Sequence, residues 1–258
     1  MKRPAWPYPF WVAHRGAGKL APENTLAAFR LGAAHGYRMF ECDAKLSADG
    51  TVFLLHDATL ERTSNGQGTA GELNWHDLSQ LDAGSWHSQP YAGEPLCSLS
   101  ALARFCLGSG YALNIEIKPT AGSERLTGQT VAAQADLLWA GQAVPPLLSS
   151  FQPESLAGAL ESAPQLPRAL LLESWWDGWL TAAMALQCCA VVANYRLLDA
   201  ASIGTVQGAG MRCLSYTVNE ADQVRALQEL GIDGIITDRI DLFAPAATAQ
   251  DAGTAGLP

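Results

Sequence analysis

The stretch RCLSYTVNEADQVRALQELGIDGIIT, residues 212–237, contains one complete strand–helix–strand unit. It begins with an apolar run at 212–217, whose length suits a short buried strand. Apolar residues then recur at helical spacing through residues 220–230, and Gly231 stands where a glycine commonly ends a helix. A second apolar run follows at 234–237, so this stretch predicts two parallel strands joined by a helix.

The same alternation runs along most of the 258-residue chain. Short apolar runs and helix-like segments succeed each other, which is the pattern of a parallel sheet with crossover helices. The length suits one large α/β domain with a closed core. We therefore predict an α/β fold, a (β/α)8 TIM barrel that forms a single domain over residues 1–258. The eight predicted strands are residues 10–13, 39–45, 112–117, 147–151, 168–172, 190–194, 212–217 and 234–237.

One interval, residues 46–108, is too long for a simple connection between the second and third strands. It contains a Gly-bearing turn and then a short apolar run at 51–55, which together are a hairpin signal. A stretch with Gly, Ser and Trp follows, and a helix is predicted near residues 98–107. Long intervals of this kind are often functional, so we predict a small inserted subdomain over the barrel mouth. Residues 244–258, rich in Ala, Thr and Gly, are expected to be frayed.

Composition and charge restrict the class of protein. A net charge of −9 and a pI near 4.9, with only 16 Lys and Arg residues, argue against a nucleic-acid-binding surface. No run approaches the roughly 20 apolar residues of a membrane helix, and residues 1–10 lack the apolar core of a secretory signal. The six cysteines form no CxxC pair and indicate reduced thiols. We therefore expect a cytoplasmic protein without stable membrane insertion, and the sequence leaves a homo-oligomer open.

Three carboxylates fall on two predicted strands, Glu41 and Asp43 on the second and Glu116 on the third. In a (β/α)8 barrel the catalytic and ligand-binding residues lie at the carboxyl ends of the strands. Because side chains alternate along a strand, Glu41 and Asp43 should both face the barrel interior. Carboxylates there are costly to desolvate unless a cation compensates them, and oxygen ligands suit Mg²⁺ or Ca²⁺. The alternative is a set of structural ion pairs with Lys45 and Lys118.

Two histidines directly follow apolar runs, His14 after the first strand and His56 after the extra hairpin. Imidazoles titrate near neutrality, so two of them at one site can act as proton acceptor and proton donor across a scissile bond. Arg15 and Lys118 could hold non-bridging phosphate oxygens, or could instead pair with the carboxylates. Residues 22–25, PENT, indicate a loop entering a helix, and helix capping is a sufficient explanation of their polar side chains.

In order and spacing, these residues resemble the glycerophosphodiester phosphodiesterase family over about residues 10–240. Each motif is weak by itself, but the ordered set is highly specific. Tyr216 departs from the family pattern, which often has Trp there, and Ile240 stands where a proline is common. The motifs are His14-Arg15-Gly16, Pro22-Glu23-Asn24-Thr25, Glu41-Cys42-Asp43, His56-Asp57, Glu116-Ile117-Lys118, Tyr216-Thr217-Val218-Asn219 and Gly234-Ile235-Ile236-Thr237-Asp238.

The resemblance implies a barrel with an inserted subdomain and a divalent metal ion, Mg²⁺ or Ca²⁺, held by three carboxylates. It also implies that His14 and His56 form an acid–base pair, and that Arg15 and Lys118 lie near the phosphate. The metal ligands would be Glu41, Asp43 and Glu116. Further substrate contacts would be Glu23, Asn24 and Tyr216.

The expected reaction is metal-dependent hydrolysis of a small glycerophosphodiester to sn-glycerol 3-phosphate and an alcohol, with the two histidines as acid and base. The nucleophile is water or the neighbouring glycerol hydroxyl. A second hypothesis keeps the site but makes the protein a lysophospholipase D, which acts on lysolipids. The acyl chain of the lysolipid would need to bind apolar residues of the insertion. A third makes the barrel a catalytically silent binder of phosphorylated ligands. The apolar residues concerned, which could equally form the insertion's own core, are Trp75, Leu78, Leu81, Trp86 and Tyr91.

Overall fold

The computed structural model describes residues 6–243 and residue 245, so residues 1–5, 244 and 246–258 of the predicted domain, with most of the expected frayed tail, lie outside the described residues. Within the described part, β-strands and α-helices alternate along the chain. The strands are β1 (Trp11–Ala13), β2 (Met39–Leu46), β3 (Val52–Leu54), β4 (Ala112–Ile117), β5 (Leu147–Ser150), β6 (Arg168–Leu172), β7 (Ala190–Asn194), β8 (Arg212–Tyr216) and β9 (Gly234–Thr237). The helices are α1 (Leu26–Ala34), α2 (Trp75–Leu78), α3 (Leu99–Ser109), α4 (Glu124–Leu138), α5 (Pro153–Ser162), α6 (Trp179–Ala185), α7 (Ala200–Gly208) and α8 (Ala221–Glu229).

All of these strands except β3 form a closed parallel barrel. β1 pairs in parallel with both β2 and β9, through Ala13 opposite Phe40 and Trp11 opposite Ile235. The other strands follow in the order β9-β8-β7-β6-β5-β4-β2, and β3 pairs antiparallel to the end of β2. The predicted (β/α)8 TIM barrel is confirmed, and its strands begin and end within one residue of the predicted limits.

Side-chain alternation along β2 explains both the packing of this strand and the position of the acidic residues. Phe40 and Cys42 pack among residues of the surrounding helices α1, α3 and α4. Met39 instead packs with apolar residues of the other strands in the barrel interior. Because Glu41 and Asp43 share the orientation of Met39, they also face the interior, nearer the carboxyl end of the strand.

The helix ends follow local signals in the sequence. Thr25 is the N-cap of α1, since its side chain accepts a hydrogen bond from the Ala28 backbone N–H at 3.3 Å. Gly231 follows α8 with φ of +77°, a left-handed conformation that favours glycine, as predicted. None of the described helices combines the length and the apolar character that crossing a membrane would need.

The chain between β2 and α3 carries an apolar cluster of its own. Ser98 caps α3, whose residues Leu99, Leu102 and Cys106 pack with the helix layer of the barrel. The separate cluster therefore lies in the segment before Ser98, while α3 packs with the barrel. The domain limits predicted for the insertion, 46–108, stay a prediction. The buried members of its cluster are Phe53, Leu55, Leu60, Ala70, Leu78, Ala83 and Leu96.

Candidate active site

Three carboxylates, hereafter the carboxylate cluster (Glu41, Asp43 and Glu116), meet inside the barrel near the carboxyl ends of β2 and β4. Asp43 lies directly opposite Glu116 in the parallel register of these two strands. One oxygen from each carboxylate lies within 4.8 Å of the corresponding oxygen of the other two. Glu41 and Asp43 are only 2% and 1% exposed. The structure thus brings together the three metal ligands proposed from the sequence.

The protein compensates the charge of the carboxylate cluster only in part. Glu41 Oε1 and Asp43 Oδ1 are buried and have no hydrogen-bond partner among the described residues. Burial raises the pKa of Glu41 well above its usual value, and the neighbouring Asp43 and Glu116 raise it further. Burial and the charge of Asp43 also raise the pKa of Glu116 to about 7, against the opposing effect of Lys118. Buried oxygens without partners, converging in this way, fit a hard divalent cation such as Mg²⁺ or Ca²⁺.

The loop between β1 and α1 holds two members of the carboxylate cluster. The Arg15 backbone N–H donates to Glu41 Oε2 (3.0 Å), and Arg15 Nε lies 3.2 Å from Asp43 Oδ2. Asn24 bonds Asp43 twice, because Nδ2 donates to Oδ2 (2.8 Å) and Oδ1 accepts from the Asp43 backbone N–H (3.1 Å). Although burial raises the pKa of Asp43, the Arg15 guanidinium and other contacts lower it below its usual value. This loop therefore keeps Asp43 ionised and fixes its orientation.

The backbone of the same loop adopts strained conformations at the residues that make these contacts. Arg15 and Asn24 have φ of +50° and +61°, in the left-handed region that residues other than glycine rarely adopt. At Gly18 a Cβ atom would lie 2.1 Å from the Asp238 carbonyl oxygen, so only glycine lets the loop approach β9. Because Thr25 caps α1, the Asn24 side chain serves Asp43 and not the helix.

His14 follows β1 and is oriented by a carboxylate at the end of β9. Its Nδ1 lies 2.7 Å from Asp238 Oδ1, and its Nε2 lies 3.9 Å from Glu41 Oε2. Asn219 holds Asp238, donating to Oδ2 and accepting from the Asp238 backbone N–H, both at 2.9 Å. Although burial raises the pKa of Asp238, the hydrogen bond from His14 and other contacts lower it to about 2. Asp238 is therefore ionised at neutral pH, and it holds His14 with Nε2 on the side of the carboxylate cluster.

His56 follows β3 and has a matching partner. Its Nδ1 lies 2.6 Å from Asp57 Oδ1, and both Asp57 oxygens accept hydrogen bonds from Arg62. Arg62 also donates to both oxygens of Glu23 at 2.9 and 2.8 Å, and Glu23 pairs with Arg15 at 2.9 Å. Burial lowers the pKa of His56 below its usual value, so this imidazole is neutral at pH 7. A continuous set of ion pairs thus joins the insertion to the β1–α1 loop.

A cleft of about 350 Å³ opens beside the carboxylate cluster and is lined by His56 and Glu116 among other residues. Lys118 lies in its wall, with Nζ 3.1 Å from Glu116 Oε1 and 5.9 Å from the centre of the Phe151 ring. Lys45 also lines the cleft, and its Nζ donates to the Lys118 carbonyl oxygen at 3.3 Å. Burial, with the charge of Lys118, lowers the pKa of Lys45 to about 8. Two lysine side chains therefore border the same space as the proposed metal site.

Tyr216 ends β8, and its hydroxyl is already engaged at the rim of the barrel. The hydroxyl donates to Glu173 Oε2 at 2.6 Å, and Asn194 Nδ2 donates to Glu173 Oε1 at 3.0 Å. The Tyr216 ring meets Phe151 edge to face, with ring centres 5.6 Å apart. Since Phe151 also contacts Lys118, an ordered aromatic pair connects Tyr216 with the cleft.

The sequence indicated no functional role for four residues that orient the histidines directly or through an aspartate: Asp57, Arg62, Asn219 and Asp238. A signal existed for Asp238, because it directly follows the last strand, a position typical of working residues in a barrel. Arg62 lies in the insertion and reaches Glu23, which is 39 positions away in the chain. No local pattern could indicate that contact.

The raised pKa of Glu116 predicts an unusual pH dependence of stability for the metal-free protein. A carboxyl whose pKa is higher in the folded state binds more protons there, so its contribution to stability falls as pH rises from about 4.5 to about 7. We therefore expect Glu116→Gln, in the presence of a chelator, to match the parent near pH 5 and to exceed its unfolding free energy at pH 8 by roughly 1–3 kcal/mol.

Urea unfolding of parent and variant between pH 5 and 8 measures this difference. Comparing the two proteins at each pH removes the contributions of groups that titrate independently of Glu116. Glu41 does not cancel, because the Glu116 charge raises the pKa of Glu41, and its relief in the variant acts in the same direction. A Glu116→Gln protein that is less stable than the parent throughout this range would contradict the raised pKa.

Comparison with known proteins assigns the chain to a family of enzymes. Its sequence matches the glycerophosphoryl diester phosphodiesterase family over residues 14–242. The Bacillus subtilis protein YhdW is 30% identical over 239 residues, which cover 90% of this chain and 95% of that protein. A glycerophosphodiester phosphodiesterase of Caldanaerobacter subterraneus subsp. tengcongensis is 28% identical over 230 residues, covering 88% of this chain and 93% of that protein. An Oleispira antarctica phosphodiesterase, solved with the product sn-glycerol-3-phosphate, has a TM-score of 0.83 at 30% identity and covers 90% of this chain and 93% of that chain.

The family match includes the carboxylate cluster, both strand-end histidines and the residues that orient them. It begins at His14 and continues past the last strand of the barrel, so it spans the whole of the candidate site. The chain therefore belongs to the glycerophosphoryl diester phosphodiesterase family, and it is a phosphoric diester hydrolase.

Proposed function

We propose that this enzyme hydrolyses small glycerophosphodiesters to sn-glycerol 3-phosphate and an alcohol, and that the reaction depends on a divalent cation. The observation that carries the proposal is the pairing of two histidines, each bound through Nδ1 to an aspartate, with one cluster of buried carboxylates. The product bound to the Oleispira antarctica phosphodiesterase supports the substrate class.

Glu41, Asp43 and Glu116 would hold the cation, Mg²⁺ or Ca²⁺. When bound, the cation would neutralise negative charge on a phosphate oxygen as the phosphorus gains its fifth substituent. Among the described residues, Glu41 Oε1 and Asp43 Oδ1 are buried without a hydrogen-bond partner, and this supports the role because a site without a cation leaves their charge uncompensated.

Proton transfer is assigned to Nε2 of both histidines. An ionised aspartate accepts a hydrogen bond from Nδ1–H in each ring, which fixes the tautomer and leaves Nε2 able to accept a proton. One imidazole removes a proton from the nucleophile, and the other protonates the departing alcohol. The nucleophile is water, or the neighbouring glycerol hydroxyl by way of a cyclic phosphate.

Arg15 and Lys118 are proposed to stabilise the remaining phosphate oxygens. Lys118 lies in the wall of the cleft beside Glu116. Arg15 uses Nε and Nη1 for Asp43 and Glu23, so further donors of the guanidinium are left for a ligand. Because the Glu23 oxygens already accept from Arg15 and Arg62, we assign Glu23 to positioning the two arginines.

The defining experiment measures release of sn-glycerol 3-phosphate from glycerophosphocholine after treatment with a chelator, and then with Mg²⁺ or Ca²⁺ restored. We expect no release in the chelator and full recovery with one of the two cations. Unchanged turnover in the chelator would remove the cation from the mechanism. An absence of turnover with both cations would leave the proposed substrate class without support.

The insertion favours a water-soluble substrate over a lysolipid. Leu78 is buried in the core of the insertion, Trp75 and Leu81 pack against that core, and Tyr91 packs against the barrel. Trp86 alone among the five apolar candidates is a largely exposed side chain, at 39%. Four of the five side chains are therefore engaged in packing, and together the five offer little surface to an acyl chain.

We accordingly expect kcat/KM for glycerophosphocholine to exceed that for lysophosphatidylcholine by at least about tenfold, since a bound acyl chain needs apolar contact area. The assay uses both substrates below the critical micelle concentration of the lysolipid, with release of choline as the common readout. A preference for the lysolipid would instead establish the lysophospholipase D hypothesis.

A further inference from the structure

Lys45 carries a buried charge that no carboxylate pairs directly. The residue is 2% exposed, and among the described residues its Nζ has one hydrogen-bond partner, the carbonyl oxygen of Lys118 at 3.3 Å. An ammonium group has three N–H donors, so two of them have no partner within the described part of the chain. Asp43 and Glu116 lie near enough to influence its charge, but neither forms an ion pair with it.

A purely structural role accounts poorly for this arrangement. Moving an ammonium group out of water costs free energy that is recovered only through pairing and good hydrogen bonds. A single bond to a carbonyl oxygen satisfies one donor, and an unbranched apolar side chain would fill the same space without the desolvation cost. The chemistry of the group calls for an oxygen-rich anion beside it.

The cleft next to Lys45 is where such an anion would lie. Lys45, Lys118 and His56 line the same space of about 350 Å³, together with Glu116 of the carboxylate cluster. In the proposed reaction Glu116 would help to hold a cation beside the phosphoryl group, and His56 transfers a proton to or from the attacking or departing oxygen at phosphorus. Both roles place the phosphoryl group at this cleft, within the region that the two lysines border.

Resting on the proposed function, we propose that Lys45 is a second phosphate-binding lysine, which binds a non-bridging phosphate oxygen together with Lys118. The substrate is a phosphodiester monoanion, and the product is a phosphomonoester that carries up to two negative charges. Two lysines in the cleft wall supply positive charge that matches that increase. Lys45 thus stabilises the phosphoryl group after bond cleavage at least as strongly as before.

The test compares the parent with Lys45→Met, which keeps an unbranched side chain of nearly the same length and removes its charge. Calorimetry at saturating Mg²⁺ gives the Kd of sn-glycerol 3-phosphate, and steady-state assays give kcat/KM for glycerophosphocholine. We expect Lys45→Met to weaken sn-glycerol 3-phosphate binding at least tenfold and to lower kcat/KM at least tenfold. Arg225→Met, which removes one positive charge from the exposed surface of α8, should change neither value.

Thermal unfolding without ligand separates binding from a structural role. The proposal predicts an unchanged or higher Tm for Lys45→Met, because a buried charge is removed. A lower Tm with unchanged affinity for sn-glycerol 3-phosphate would overturn it, and Lys45→Gln repeats the comparison if the methionine variant does not fold. If the parent binds sn-glycerol 3-phosphate but does not hydrolyse glycerophosphocholine, the proposed function fails, while the ratio of the two affinities still decides the role of Lys45.

Discussion

Replacing His14 or His56 with alanine is expected to lower kcat for glycerophosphocholine hydrolysis by about a thousandfold or more, with little change in fold. Each imidazole is held through Nδ1 by its own aspartate, and in the proposed mechanism the two histidines transfer different protons. Neither variant can therefore transfer the proton by another route. Steady-state kinetics at saturating Mg²⁺, with circular dichroism as a check of the fold, measure the effect.

A substrate with a better leaving group separates the two histidines. Glycerophospho-p-nitrophenol releases a phenolate that needs no protonation, so the variant without the proton donor should recover much of its turnover. The variant without the proton acceptor should stay inactive. His76→Ala, at an exposed position of α2, is the matched control and should behave as the parent. Near-normal turnover of glycerophosphocholine in both active-site variants would refute the acid–base assignment.

Glu41→Gln is expected to abolish cation-dependent turnover, with a loss of at least about a hundredfold in kcat/KM. Glutamine keeps the shape of the side chain and can still accept the hydrogen bond from the Arg15 backbone N–H. It removes one of the three charges that would bind the cation. A cation that binds the folded state raises Tm, so we also expect the rise in Tm on adding Mg²⁺ or Ca²⁺ to shrink in this variant.

The matched control for this charge change is Asp222→Asn, because Asp222 is 86% exposed in α8 and lies outside the site. Thermal scans of parent, Glu41→Gln and Asp222→Asn, with chelator and with each cation, provide the comparison. A Tm that responds equally to the cation in all three proteins would place the cation outside the carboxylate cluster.

Besides His56 and Asp57, the segment between β3 and α2 contributes Arg62 to the candidate site. Arg62 binds Asp57, which orients His56, and it also binds Glu23, which pairs with Arg15. These contacts join the barrel loop that holds Asp43 to the loop that carries His56. Arg62 therefore links the segment that carries His56 to the β1–α1 loop that carries His14 and Arg15.

Periodicity along the chain was sufficient to predict the barrel. Apolar runs such as 212–217 and 234–237 are short, and each is separated from the next by a helical segment. That alternation leaves few ways to bury all the strands, and a closed parallel barrel is one of them. The alternation of side chains along a strand also predicted that Glu41 and Asp43 would face the same side. Met39, which has the same orientation on β2, packs in the barrel interior and confirms this.

By itself, then, the sequence determined the fold class, the order of the elements and the alternation of side chains that directs Glu41 and Asp43 inward, because these depend on local periodicity. Only the tertiary structure decided which partner each side chain would meet. The bond between His14 and Asp238 joins residues 224 positions apart, and that between Arg62 and Glu23 depends on how the insertion folds over the barrel. Lys45 is buried, and no described carboxylate forms an ion pair with it. This too is a property of packing, because the sequence shows where a lysine stands but not which side chains surround it.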